Sequence, residues 1–380
     1  MIEIDHAARL AKLQRVMADQ GVDLLFLPRS TNLEYLTGLK RTEPNYGNVH
    51  HPGEWVTGAW ITPDHDPIVT LPRMVAEKTV LAGYEIRSLP DTRHPFELAR
   101  EVIEHLRVPL QARIAVDDRA WAETLLPIRE LRPDATFSLA GELMMPLRRV
   151  KAPDEIAVLR RAGEITVAAY LDVRAKLQHG MTTADLIAEV NLQLQRHGAT
   201  THSFATAFYN RGPGQPFAAD KREETLLVPL VPPVAISFDF GAVYQGYCYD
   251  FGRSIYFGEP DAEYRRAYDL VMASQAAGIA ALRTGTPCEE ADRAARAVLA
   301  DAGYGEAFRH RLGHAIGMDV HETPFLMESD TTPMEDGMCF TVEPSISTET
   351  MSARVEDIVV VRADGGEALT DGHKELHVVD

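Results

Sequence analysis

Between Ile236 and Ser254 the chain reads I-S-F-D-F-G-A-V-Y-Q-G-Y-C-Y-D-F-G-R-S, with apolar and polar residues alternating on both sides of Val243-Tyr244-Gln245-Gly246. A period of two on either side of a glycine-containing turn predicts two antiparallel strands joined as a hairpin. If the hairpin is symmetric about Tyr244 and Gln245, Asp239 falls opposite Asp250 and both side chains leave the same face. Carboxylates opposed in this way have Cβ atoms about 5 Å apart, and like charges there are destabilising unless something positive lies between them. A metal centre resolves the conflict. A solvated hairpin face carrying two unrelated acids is the other reading, and this stretch alone leaves both open.

The surroundings of the hairpin divide into two halves. Before residue 150, strands are expected at 23–27, 55–62, 67–71 and 113–116, a turn at 28–32, and helices at 6–20, 73–81, 95–106 and 119–131. Strands alternating with helices describe an α/β domain of its own. The stretch Met145-Pro-Leu-Arg-Arg-Val-Lys-Ala-Pro-Asp-Glu155 reads as a linker running into a helix start, with Pro153 in the first turn and Asp154 and Glu155 at the positive end of the helix dipole. Domains 1–150 and 151–380 follow. The second opens with helices over 153–178 and from 182 or 183 to 198. A strand is expected at 204–209, then an irregular, proline-rich segment at 226–233. After the hairpin come helices over 261–283 and 287–302 and strands at 338–343, 354–362 and 376–379, an α+β arrangement around an antiparallel sheet.

With 56 acidic against 38 basic residues the formal charge is -18, which disfavours nucleic acid or an anionic membrane surface as a partner. The three cysteines, Cys248, Cys288 and Cys339, form no C-x-x-C pair, so neither a disulfide framework nor a thiolate zinc site is indicated. The start M-I-E-I-D-H has no signal-peptide pattern, and no apolar run approaches the ~18 residues of a membrane span. A cytoplasmic enzyme acting on a small molecule is the expectation.

Downstream of the hairpin lie Gly313-His-Ala-Ile-Gly317 with Val320-His-Glu-Thr-Pro324, then Thr341-Val-Glu-Pro344, then Ala353-Arg-Val-Glu-Asp357. Each has an ordinary explanation by itself, since a lone histidine is more often structural than a ligand. Together, and in this order, they resemble the M24 metallopeptidase family, in the prolidase, aminopeptidase P and creatinase branch with its pita-bread catalytic domain. Asn32-Leu-Glu-Tyr-Leu-Thr-Gly38 is similar to that branch's N-terminal domain, and Leu147 to Ile156 to its interdomain junction.

The resemblance implies a dinuclear metal-dependent hydrolase that uses a metal-bridging hydroxide, with Asp239, Asp250, His314, Glu343 and Glu356 as ligands. Two divalent ions are implied, manganese first, with cobalt, iron or zinc as alternatives; four carboxylates and one imidazole suit such hard or borderline ions. Glu343 is also implied to shuttle a proton, and His321 to hydrogen-bond the substrate carbonyl or the tetrahedral intermediate. His310 and Arg354 are candidates for supporting roles, and His202 for substrate binding. The implied substrate is a small peptide with an Xaa-Pro bond. A creatinase-like or ectoine-type hydrolase or lyase acting on a small metabolite is the alternative, and the implied assembly is a homodimer. The branch carries a further histidine shortly before the first ligand aspartate. Here Gly214-Gln-Pro-Phe-Ala-Ala-Asp-Lys-Arg222 has none, so Xaa-Pro dipeptides should be slow substrates unless Gln215, Phe217 or His202 replaces it. The stretch from Tyr46 to Trp55, with two histidines, reads as a long loop, and the resemblance implies that it lies near the partner subunit's pocket.

Overall fold

The computed structural model describes residues 2–41, 53–212, 225–370 and 372–379. The chain forms two compact units, one spanning Ile4–Arg148 and the other running from Arg149 onward together with the first residues.

In the N-terminal unit, strands β1 (Leu24–Pro28), β2 (Gly58–Ile61), β3 (Ile68–Pro72), β4 (Glu85–Leu89), β5 (Arg113–Val116) and β6 (Thr136–Leu139) form a mixed sheet in the order 4-3-2-1-5-6. Its core gathers Phe26, Trp60, Ile68, Leu98, Val102 and Ile114, with Trp60 tilted against Phe26 at 4.4 Å between ring centroids. Helix His6–Gln20 is capped by Asp5, which accepts from the Ala8 amide, and ends at Gly21 in the left-handed conformation, a placement L-residues with side chains rarely adopt. The helix expected over 73–81 stops at Ala76 because none of its residues is buried, and a short helix without a packed face does not propagate. The expected turn at 28–32 gives way to helix Thr31–Thr37, held by buried Leu33, Tyr35 and Leu36.

In the C-terminal unit, the strands are β7 (Thr201–His202), β8 (Ala207–Arg211), β9 (Val234–Phe240), β10 (Ala242–Tyr244), β11 (Tyr247–Cys248), β12 (Phe251–Phe257), β13 (Gly313–Ala315), β14 (Glu322–Leu326), β15 (Cys339–Val342), β16 (Ser345–Ser347), β17 (Ser352–Val360), β18 (Glu367–Ala368) and β19 (His377–Val379). Among the described residues the main sheet runs β14-β13-β15-β17-β12-β9-β8, and β11-β10-β7 make a smaller one. Helices Pro153–Arg174, Thr183–Arg196, Ala262–Ala281 and Cys288–Asp301 accompany them, the first four residues shorter than the expected 153–178. Residues 226–230 are irregular, with only an isolated bridge from Pro229 to Thr182, and β9 begins after the prolines, at Val234.

The hairpin forms, but its register differs from the expectation. Val243 pairs with Cys248 and Tyr244 with Tyr247, so the turn centres on Gln245 and Gly246, both at positive φ (47° and 85°). A two-residue hairpin turn of type I′, which matches strand twist, needs positive φ at both central positions, and glycine suits the second. The centre therefore moves one residue along, and Asp239 lies opposite Gly252 rather than Asp250. Because Asp250 is two residues from Gly252, it still projects from the same face as Asp239, as a diagonal neighbour.

Candidate metal centre

Which face the acids take follows from the apolar residues beside them. Phe238 and Phe251 meet Tyr170 of helix Pro153–Arg174 at 5.6 and 5.4 Å between ring centroids, which directs Asp239, Asp250 and Gly252 to the opposite face. On β17, Glu356 pairs with Gly252. The β15–β17 register, Val342 to Asp357, extended by one pair sets Glu343 against Glu356. One row across four strands thus reads Asp239, Gly252, Glu356, Glu343. The glycine is the gap in that row: a Cβ on Gly252 would come within 2.8 Å of both Glu356 Oε2 and Arg354 Nε. His314 joins from β13, its amide donating to Thr341 Oγ1 at 3.0 Å while the Thr341 hydroxyl donates to Glu343 Oε1 at 3.2 Å.

The five groups are nearly out of solvent: Glu356 and His314 are 0% and 1% exposed, and Asp250, Glu343 and Asp239 no more than 9%. Ligand atoms of Asp239, Asp250 and Glu356 lie within 4.8 Å of one another. A second set adjoins it, with His314 Nε2 at 3.6 Å from Asp250 Oδ2 and 3.5 Å from Glu343 Oε1. Asp250 belongs to both.

Arg354 is the cation among them. Its guanidinium reaches Glu356 Oε2 at 2.7 Å, Glu343 Oε2 at 2.8 Å and Asp239 Oδ2 at 3.3 Å. One cation does not balance four acids. Burial, partly countered by Arg354, raises the carboxyls of Asp239, Glu343 and, most strongly, Glu356 above the usual carboxylate range. Asp250 Oδ1 and Glu356 Oε1 are buried without a hydrogen-bond partner. Such orphaned oxygens are costly unless a cation takes them. The imidazole is oriented to match: His314 Nδ1 donates to the Ala315 carbonyl at 3.1 Å, which turns Nε2 towards Asp250 and Glu343, where a divalent ion could replace its proton. This donor set fits divalent metal ions.

Behind the sheet, fully buried Arg253 donates to the Glu356 carbonyl and to Asp357 Oδ1, both at 2.6 Å, and Asp357 is also paired with Lys374 at 2.9 Å. These bonds tie β12 to β17 where they carry Gly252 and Glu356.

Of the remaining expected site residues, His321 is exposed and its ring lies 4.2 Å from that of His314. His310 donates from Nδ1 to the Arg311 carbonyl at 2.8 Å and accepts at Nε2 from Ser345 Oγ at 2.7 Å. Burial, together with the charge of Arg354, pushes its pKa down to about 4, so it stays neutral at pH 7. In the unfolded chain a histidine titrates near 6.5, so between about 6.5 and 4 the unfolded state takes a proton that the folded state refuses, and stability falls as pH falls. His310→Gln is expected to remove up to roughly 3 kcal/mol of that slope, read from urea unfolding at a series of pH values. An unchanged slope would mean that the folded state does not keep His310 neutral.

His202 is exposed on β7, opposite Ala242, in the smaller sheet and not among the acids. Gln215 and Phe217, and the part of the 46–55 loop up to residue 52, lie outside the described residues. Two contacts were not foreseen. Tyr209 on β8 hydrogen-bonds Asp239, and Lys151 is buried against Glu322 at 2.9 Å. Only sheet register places Tyr209 near β9, and Lys151 sits in a stretch that reads as linker.

The family model of metallopeptidase family M24 matches residues 157–363, and that of the creatinase/prolidase N-terminal domain matches 9–150. The chain is 28% identical over 375 residues to an Xaa-Pro dipeptidase of Lactobacillus delbrueckii subsp. lactis, covering 97% of this chain and 98% of that one. Among solved structures it is similar to a dipeptidase from Pyrococcus horikoshii OT3, at 29% identity and a TM-score of 0.87 over 98% of this chain and 100% of that one. A prolidase from Thermococcus sibiricus shares the fold, with a TM-score of 0.88 at 24% identity over 99% and 100% of the two chains.

Proposed function

The chain belongs to metallopeptidase family M24, and from that premise we propose that it is a cytoplasmic Xaa-Pro dipeptidase or aminopeptidase P-like enzyme, working as a homodimer, with residues 151–380 carrying the chemistry and residues 1–150 forming the creatinase/prolidase N-terminal domain. It is a metal-dependent peptidase with a pita-bread catalytic domain. The observation that carries the reading is Asp250, which is shared between two adjoining sets of ligand atoms.

Asp239, Asp250 and Glu356 would hold one divalent ion, and Asp250, His314 and Glu343 the other. Manganese is the proposed metal, because oxygen donors predominate. When bound there, the ions would act as Lewis acids and lower the pKa of water towards about 7. The protein's own groups do the rest. Glu343 takes the proton of the attacking water as the C–O bond forms, and then delivers it to the leaving nitrogen as the carbonyl reforms and the C–N bond breaks. His321, exposed beside His314, donates a hydrogen bond to the scissile carbonyl oxygen as negative charge develops on it. Arg354 keeps the Glu343 and Glu356 carboxylates fixed.

The test is a screen of purified, manganese-loaded protein against Xaa-Pro dipeptides, longer Xaa-Pro peptides, creatine and ectoine, with light scattering on the same sample. Hydrolysis of Xaa-Pro peptides by a dimer is expected. The missing histidine between 214 and 222 should hold kcat/KM on dipeptides below about 10⁴ M⁻¹s⁻¹, the lower end for efficient enzymes. Turnover of creatine or ectoine alone would overturn the peptidase reading, and a fully active monomer would overturn the dimer.

A further inference from the structure

The loop 316–321 joins the two imidazoles, and it is wrapped around one carboxylate. Glu322, the first residue of β14, pairs with Ala315, next to His314. Its side chain is turned inward and only 2% exposed. Oε1 accepts from the Asp319 amide at 3.3 Å, and Oε2 takes Lys151 Nζ at 2.9 Å. Gly317 passes so close that a Cβ there would sit 2.8 Å from Oε1 and 3.0 Å from both Oε2 and Lys151 Cε. The loop's other side is fastened to the hairpin: the Cys248 amide donates to the Gly317 carbonyl at 2.8 Å, two residues before Asp250.

Lys151 is as deeply placed, with its side chain 1% exposed and its amide donating to the Gly337 carbonyl at 3.0 Å. Lys151 is therefore fixed at the entry to β15, the strand that leads to Glu343. A buried ion pair of this kind adds little net stability over a well-packed apolar pair, because desolvation of the two charges offsets their attraction. What it supplies here is geometry. The carboxylate offers a fixed acceptor to the Asp319 amide and fills the space against Gly317, and Lys151 fixes the carboxylate.

We propose that Lys151 and Glu322 are a positioning pair for His321: they set the path of loop 316–321 and so the place at which His321 presents its ring to the substrate. This rests on the reading above that His321 contacts the scissile carbonyl. Among the described contacts the carboxylate takes the loop amide of Asp319 and the Lys151 ammonium, so in this proposal the pair acts on the loop that carries His321, and the metal content of the variants separates this from an effect on the five ligand side chains. Misplacing one positioned group by about 1 Å costs on the order of 10²-fold in rate.

The experiment is a double-mutant cycle on the metal-loaded enzyme with an Xaa-Pro dipeptide. Glu322→Gln, His321→Ala and the double variant are assayed for kcat, KM and metal content. Glu322→Gln is expected to lower kcat by roughly 10- to 100-fold with KM within about twofold and two ions retained, and to cause no further loss when His321 is already alanine. Normal kcat in Glu322→Gln, or an equal loss in both backgrounds, would overturn the proposal while leaving the function intact. Near-normal kcat in His321→Ala would instead sink the reading on which it rests. Should Glu322→Gln fail to fold or to load metal, Lys151→Arg decides in the same two backgrounds: it keeps the charge but moves the nitrogen, so a several-fold loss is expected only where His321 is present, and an equal loss in both would overturn the proposal.

Discussion

Asp250→Asn and Glu356→Gln are each expected to abolish stoichiometric loading of two ions and to lower kcat/KM on an Xaa-Pro peptide by about 10⁴-fold, equivalent to ~5.5 kcal/mol of transition-state stabilisation. Both substitutions keep the shape of the side chain and remove only its charge. Asp250 is the residue common to the two ligand sets, and Glu356 is the most buried of the acids, paired across from Gly252. Each also carries an oxygen with no hydrogen-bond partner. In the metal-free protein Asp250→Asn should melt at a higher temperature than the parent, because four buried acids crowd one guanidinium, Asp250 is not among the three acids paired with it, and one charge is removed. The parent should overtake this variant once metal is added, since a ligand that binds only the folded state stabilises it. Elemental analysis and calorimetry on the same samples read both effects. Two ions per chain in either variant would show that the charge of that residue is not needed for binding.

His321→Ala is the second large effect. The ring is exposed and lies tilted beside that of His314, so alanine leaves the five buried groups in place. Loss of a single donor to a developing oxyanion lowers kcat by about 10²–10³-fold, ~2.7–4 kcal/mol. KM should change little, because the bond strengthens as charge develops and is weak in the ground state. Metal content should stay at two. Together these outcomes separate His321 from the ligands, whose loss takes the metal as well. A variant with near-normal kcat would remove His321 from the chemistry.

How far the sequence carries the fold depends on whether an element shows its burial as a period. Helix His6–Gln20 is read to the residue because its apolar stripe and the Gly21 stop agree. Strands β4 and β6 and helix Gly141–Arg148 were not read. The two strands are the edges of the N-terminal sheet and their burial does not alternate, while the helix contains Pro146. In the hairpin, alternation located both strands but not their register. The register was decided by which two residues could adopt positive φ, so the expected Asp239–Asp250 pair became a diagonal with Gly252 between the acids of the neighbouring strands.

At the site, motif context named Asp239, Asp250, His314, Glu343 and Glu356, and the structure brings all five together. What surrounds them was less legible. Arg354 was expected to pair with nearby acids, yet its position across three of them depends on the β15–β17 register. Lys151 and Glu322 are 171 residues apart, and nothing in the local pattern of either signals a buried pair. His202 is a candidate as the histidine nearest to the one missing before Asp239; β7 belongs to the smaller sheet and leaves it in solvent.

The central claim is that two divalent ions sit among these five side chains, and anomalous diffraction from crystals grown with manganese tests it most directly. The account predicts two peaks in each chain, one between Asp239, Asp250 and Glu356 and one between Asp250, His314 and Glu343, with the Asp250 carboxylate in contact with both. A map with no peak among these residues, in protein that still hydrolyses an Xaa-Pro peptide, would contradict it.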